Sequence, residues 1–429
     1  MRVEKSQALH RDAKRYTAVG PASPTGAFDQ VGRDPRFMVG GSGAHLFDAD
    51  GNEYIDLALS GGAMVLGHAD PKVVEALCDA VSDGVAAGVP TERETALAKV
   101  VTGAIPSVDL LCLTGSEAEA MAGAVRVARA FARKSMVVKF AGCSPSWSDG
   151  TVAAAGESVH GRGRGAGVSD LFVGGTGVVP YNDLESAEVI VKSQHREIAA
   201  MVVEPVATSI GLVPPAPSFL PGLRALCDRY GIVLIFDELV TGMRLHWGGA
   251  ETLYGVRPDL VCLGRAVAGG LGLGAYGGRR DIMETDVDAP AGPAAHPLAI
   301  TAAIATLSRL REPGSYAALE ALSAKLAGGL SRAAEAAGVP VRVNRVGSMM
   351  TVFFTDVPVV DLATASATGG GGFRRFFGSM IESGVLIPPR SFGCICTSLA
   401  HSADDMDRVV SVAESAFAEA VRGRQTERA

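Results

Sequence analysis

No run of 18 or more apolar residues occurs in this 429-residue chain, which excludes a membrane-spanning helix. Positive charge is not in excess: 39 Lys and Arg stand against 46 Asp and Glu, and the net charge of −7 weighs against a nucleic-acid surface. The first residues, MRVEKSQALHRDAKRY, lack an apolar signal core, so a cytoplasmic protein is expected. Seven cysteines (Cys78, Cys112, Cys143, Cys227, Cys262, Cys394, Cys396) show no metal-ligand spacing, so they read as reduced and mostly buried thiols and no metal site is expected. No internal repeat is found.

What is present points to an α/β enzyme. Hydrophobic residues make up 48% of the chain, and 53 glycines suit many tight turns between strands and helices. The length suits one large and one small domain. The expected division is an N-terminal arm with part of a small domain at 1–67, a large domain at 68–310, and a small α+β domain at 311–429. Residues 1–35 read as an irregular arm. The stretch 44–56, AHLFDADGNEYID, reads as a hairpin turning at Asp50 and Gly51. Helices are expected at 71–83, after Thr91 as a cap, and at 219–230. Strands are expected at 110–113, 137–140 and 199–205. Residues 297–339 read as two helices, 341–355, 384–387 and 394–399 as strands, 368–372 as a flexible tip and 404–421 as a closing helix.

The stretch that organises the chain is 231–280. Its apolar run at 232–236 reads as a buried parallel strand, with Asp237 and Glu238 where that strand ends. In open α/β sheets, ligands bind outside the carboxyl ends of strands. A second strand at 260–263 leads into Gly264, Arg265 and a glycine-rich segment. Upstream, the strand at 110–113 runs through Thr114, Gly115 and Ser116 into a long helix ending near Arg133. A small-residue turn at a helix N-terminus is an anion cradle, and a serine there also serves as a plain helix cap.

These motifs resemble the class III aminotransferases of pyridoxal-phosphate (PLP) fold type I, and within them the glutamate-1-semialdehyde aminomutases. The likeness covers nearly the whole chain. It implies a mostly parallel seven-stranded α/β sheet, as in aspartate aminotransferase, with a small α+β domain drawn from both termini. It also implies that Asp237, in FDE, pairs with the coenzyme's pyridine nitrogen, and that the turn at 114–116 takes its phosphate. Glu204 matches a VEP turn, Ser209 falls beside the coenzyme's phenolic oxygen, and His68 belongs to a structural LGH turn. A small-molecule substrate and a homodimer with its site at the subunit boundary are implied too.

The chain departs from the pattern at several places. The Schiff-base lysine of an LGK motif falls on Arg265 in Leu263-Gly264-Arg265. A guanidinium stays protonated and does not act as an amine nucleophile. Ser144 and Pro145 stand where an aromatic residue stacks on the ring, with Trp147 close behind. Pro293, after Gly292, stands where a threonine reaches the phosphate. Gly26, Gly61 and Gly393 stand where substrate grips fall. The glycine-rich 150–177 segment reads as a loop over the site.

From these departures the expectation is an enzyme that is no true aminotransferase or aminomutase and works without covalently bound PLP. It would run acid–base or condensation chemistry on an amino-acid-derived or phosphate-bearing molecule, in specialised biosynthesis. Arg265, Glu204, Asp237 and His296 are its catalytic candidates. Thr114, Gly115, Ser116, Ser144, Ser209, Asp237 and Arg265 would bind coenzyme or another anion. Two other readings stand beside it: a lysine-free enzyme holding PLP or pyridoxamine phosphate noncovalently, and a non-catalytic binding or assembly relative.

Overall fold

The polar first residues do not form an irregular arm. Residues 4–16 are a helix, α1 (Glu4–Tyr16), with Glu4 in its first turn and Lys14 and Arg15 in its last, the arrangement that the helix dipole favours. The structure, a computed structural model, describes residues 1–17, 28–85, 89–143, 175–287, 295–368 and 370–426. The 150–174 part of the expected loop, Gly26, Ser144, Pro145, Trp147, Gly292 and Pro293 lie outside these.

The alternation at 44–56 forms the expected hairpin, β2 (His45–Asp48) and β3 (Glu53–Asp56), and β1 (Met38–Ser42) adds to its edge. Asp48 Oδ1 accepts the N–H groups of Asp50 and Asn52 and so fixes the turn.

Residues Pro71–Tyr316 and Val360–Ala363 make one compact unit. Its helices α2 (Pro71–Ser82) and α3 (Glu92–Ala104) lead to β4 (Leu110–Thr114), α4 (Glu117–Ala132) and β5 (Met136–Phe140). Thr91 takes the extended N-cap conformation before α3, yet its hydroxyl makes no cap hydrogen bond. Then come β6 (Thr176–Val179), α5 (Leu184–Gln194), β7 (Ile198–Val203), α6 (Phe219–Tyr230), β8 (Val233–Glu238) and α7 (Gly249–Tyr254). The unit closes with β9 (Leu260–Leu263), β10 (Gly274–Gly278) and α8 (Pro297–Leu310).

The seven strands form one sheet in the order β4-β10-β9-β8-β7-β5-β6. Neighbours from β9 to β6 run parallel, and β10 runs antiparallel between β4 and β9. This is the expected fold class. One face is sealed by α4: Ala120, Met121, Ala124 and Ala128 pack with Val137, Val202, Ile235 and Cys262 in one buried cluster. Burial of that stripe stabilises the sheet by roughly 25 cal/mol per Å2 of apolar surface.

The second unit joins Met1–Asp70 to Ala317–Val359 and Thr364–Ala429. Besides the hairpin it holds most of α9 (Ser315–Ala336), a second sheet of β11 (Arg342–Val346), β12 (Met349–Phe353) and β14 (Ile395–Cys396), and the helices α10 (Gly370–Glu382) and α11 (Ala403–Thr426). Strand β13 (Val385–Leu386) pairs in parallel with β3, which ties the C-terminal chain to the N-terminal hairpin. Residues 370–372, expected as part of a flexible tip, are the start of α10, where Gly372 backs onto the Phe354 ring. All seven cysteines are free thiols, four of them buried. Among the described residues no helix is long and apolar enough to cross a membrane, and no cluster of ligands for a metal is found.

Candidate functional site

Strand register gathers the polar residues. Val203 of β7 pairs with Phe236 of β8, so Glu204 and Asp237 come next on neighbouring strands. Side chains alternate along a strand. Val202 and Ile235 belong to the cluster under α4, so Glu204 and Asp237, two residues on, face that same side. Both sit at the carboxyl ends of the parallel strands, and α4 begins there.

Asp237 is 6% exposed. Its Oδ1 accepts the Leu239 N–H at 3.1 Å, and its second oxygen has no partner among the described residues. Burial pushes this carboxyl well above the usual carboxylate range, and the Glu204 carboxylate adds to the push. The Leu239 N–H and the charge of Arg265 oppose it. A buried acid with an unpartnered oxygen suits a positively charged N–H donor.

Glu204 is saturated in a different way. Its Oε2 accepts the Thr208 N–H at 2.6 Å and the Thr208 hydroxyl at 2.8 Å, and its Oε1 accepts the Ser209 hydroxyl at 2.9 Å. The carboxylate therefore pins the segment after β7, and Ser209, which is exposed, is held by it. Glu238 points the opposite way from Asp237 and is structural. It is wholly buried, takes the Ala250 N–H at the start of α7, and is raised by burial to about 7.

The turn at 114–116 has the anion-cradle form. Thr114 Oγ1 donates to Ser116 O at 2.9 Å, and Ser116 caps α4 by accepting the Glu119 N–H at 3.3 Å. Both hydroxyls are thus used inside the turn. The N–H groups of Gly115, Glu117 and Ala118 have no acceptor among the described residues, so a free helix N-terminus faces outward. Strand β10 closes in from behind: a Cβ on Gly274 would collide with Ser116 O.

Arg265 is linked to this turn. Its N–H donates to Glu117 Oε1 at 3.2 Å, and its Nε stands 3.5 Å from the same oxygen. Its φ of 37° lies in the left-handed region, which a non-glycine residue adopts only under constraint. A Cβ on the preceding Gly264 would meet Glu117 Cγ at 2.7 Å, so the glutamate packs tightly beneath this corner. The charges of Glu117 and Arg265 both act on Asp237.

Two buried groups complete the cluster. Lys139, on β5, is 2% exposed and shares the face of Val137, the α4 side. Burial lowers its ammonium pKa to about 8, against the pull of Cys143 and Glu204. Burial pushes the Cys143 thiol up, and Glu204 and Asp237 add to the push. Sequence reading gave neither a role, although a lysine inside an apolar strand run is a visible signal. His296 is exposed and caps α8, its Nδ1 accepting the Leu298 N–H at 3.2 Å, and among the described residues no contact joins it to the cluster. His68 is structural as expected, with Nε2 2.8 Å from Asp56.

Residues 29–411 match the aminotransferase class-III family model. A glutamate-1-semialdehyde 2,1-aminomutase from Heliobacterium modesticaldum is 44% identical over 96% of this chain and 97% of its own. A glutamate-1-semialdehyde 2,1-aminomutase 2 from Brevibacillus brevis is 41% identical over 98% of this chain and 100% of its own. An omega-transaminase structure from Sphaerobacter thermophilus superposes with a TM-score of 0.90 at 29% identity, covering 98% of this chain and 100% of that one. A transaminase with PLP bound gives 0.89 at 27% identity, with 99% of each chain covered. These likenesses overturn the expectation of an enzyme that is no aminomutase and works without PLP. Departures at single positions do not outweigh identity that runs the length of the aminomutases and a fold shared with a PLP-bound transaminase.

Proposed function

We propose, for a chain that belongs to the aminotransferase class-III family, that it is a PLP-type enzyme moving an amino group within a small amino–oxo acid, as its 2,1-aminomutase relatives are named for doing. The observation that carries this reading is Asp237, a buried carboxylate at the carboxyl end of the sheet, one of whose oxygens has no hydrogen-bond partner among the described residues. When bound, the coenzyme supplies an electron sink for the carbon that gives up a proton. The chain's own residues named here would hold and orient it. Asp237 orients the ring through its nitrogen and favours the protonated form of that nitrogen. The N–H groups of Gly115, Glu117 and Ala118, with the dipole of α4, take the phosphate. Glu204 holds Ser209 in place.

The finer part of the reading concerns residue 265. Arg265 stands where the family resemblance puts the lysine, two residues after the end of β9, and it lies within electrostatic reach of Asp237 and Glu117. On this reading it contributes a fixed positive charge for a phosphate or substrate carboxylate, and the coenzyme is held by ion pairs and hydrogen bonds. A homodimer is also part of the proposal, and light scattering during gel filtration tests it.

The test of the whole is a titration of coenzyme-free protein with PLP and with pyridoxamine phosphate, followed by calorimetry and absorbance. It is completed by an assay for loss of glutamate 1-semialdehyde and appearance of an isomer of equal mass. Binding of one coenzyme form with isomer produced is the expected result. Binding of neither form would sink the reading.

A further inference from the structure

Lys139 is a charged group inside the sheet that the reading above leaves without work. Register fixes its level. It lies one residue beyond the Val138–Met201 pair, hence beside Val202, and Val202 pairs with Ile235. It therefore sits two residues, roughly 6–7 Å, short of Asp237 along the strands. It is on the same face as Glu204 and Asp237, and its charge acts on Glu204 and Cys143. A lysine at that level lies under the carboxylates, which makes it a source of charge for them. The groups that share this field are Cys143, Glu204, Asp237 and Tyr181 around it, with Glu117 and Arg265 acting on Asp237.

We propose that Lys139 is a positioning residue of this site: from within the sheet its ammonium offsets the Glu204 carboxylate, so that Asp237 beside it carries the negative charge that a protonated pyridine nitrogen requires. This rests on the coenzyme reading above. Glu204 raises the proton affinity of Asp237, and a protonated Asp237 is a poor partner for a pyridinium. Lys139 acts on Asp237 through Glu204. The arrangement opposes stability, because a buried ammonium is costly in an apolar strand. Its folded pKa of about 8 lies below the ordinary 10.5, so the unfolded chain binds more protons between those values. Stability then rises with pH across that window, and the charged form is the destabilising one at neutral pH.

The experiment compares wild type, Lys139→Met and Lys139→Arg. Each coenzyme-free protein is titrated with pyridoxamine 5′-phosphate and with PLP from acid to alkaline pH, and melted without coenzyme. For Lys139→Met, affinity at pH 7 is expected to fall about tenfold and the acid limb of binding to move up by about one pH unit. Its melting temperature is expected to rise. Wild type is expected to bind more weakly above about pH 8, and Lys139→Arg to keep the affinity without that decline. A methionine variant with wild-type affinity and acid limb, or one that melts lower or does not fold, overturns the proposal. If wild type binds neither coenzyme at any pH, the functional reading itself fails; if wild type binds and the methionine variant matches it, only this inference does.

Discussion

Arg265 and Glu117 share one oxygen: Glu117 Oε1 accepts the Arg265 N–H at 3.2 Å and stands 3.5 Å from Arg265 Nε. The contact joins the segment after β9 to the first residue of α4, next to the 114–116 turn. The arginine side chain is 34% exposed and its partner 36%, so solvent screens the pair and its net worth is under about 1 kcal/mol. Arg265→Ala is therefore expected to shift melting little while lowering the affinity for pyridoxamine phosphate about tenfold, the scale of one lost charge-assisted contact. Arg265→Lys supplies an amine at the same place. Borohydride treatment of that variant in the presence of PLP is expected to add the coenzyme's mass to the peptide containing residue 265, and to leave that peptide of the wild type unchanged.

Asp237 gives a prediction with a sign. Its folded pKa is raised by burial and by Glu204, so its contribution to stability is complete below the ordinary carboxylate range and is lost as pH climbs through the folded value. Asp237→Asn removes that loss. The coenzyme-free variant is expected to be at least as stable as wild type at pH 8, with a flatter stability–pH profile, and to bind coenzyme at least tenfold more weakly. A variant that binds as wild type does would remove Asp237 from the site.

Much of the fold was legible because burial on both faces writes a continuous apolar run, as at 232–236 and 260–263. Strand β10 was not legible. Its sequence GAYGG reads as a loop, but the glycines serve close packing: a Cβ at Gly277 would stand 2.5 Å from Leu110 O, and one at Gly278 would collide with Asp259 O. Helix α1 was hidden by its polarity. The strand-end positions of Asp237 and Glu204, and the helix start after the 114–116 turn, were legible too. The work of Glu204 was not, because three hydrogen bonds from Thr208 and Ser209 depend on how the chain turns after β7. The functional expectation went astray by letting residue 265 decide for the whole chain.

Glu238 offers a stability test away from coenzyme binding. It is wholly buried and raised from 4.5 to about 7, chiefly by burial. A raised folded value means stability is lost as pH rises from the ordinary carboxylate range to about 7. The shift corresponds to about 3 kcal/mol. Glu238→Gln keeps an acceptor for the Ala250 N–H and carries no charge. Denaturant unfolding is expected to show the glutamine variant gaining on wild type as pH goes from 5 to 8, with the gap wholly open above about pH 7. Parallel profiles would show that the shift is not real.

The last test concerns the back of the 114–116 turn. Gly274 lies on β10 opposite Thr114, and a methyl group there would strike Ser116 O and press on Thr114 Oγ1, 2.8 Å away. The first neighbour is backbone and the second a short hydroxyl bonded to that same carbonyl, so β10 or the turn must move. Gly274→Ala is expected to cost about 1–3 kcal/mol in unfolding, the range for overpacking a well-filled site. It should also weaken coenzyme binding, because the displaced turn no longer aims its N–H groups together. Ser116→Ala separates the two effects. It removes only the cap to the Glu119 N–H, costs about 1 kcal/mol and leaves the backbone in place. Affinity that falls in Gly274→Ala and holds in Ser116→Ala would place the phosphate on the backbone N–H groups. Equal losses in both would instead place it on the Ser116 hydroxyl.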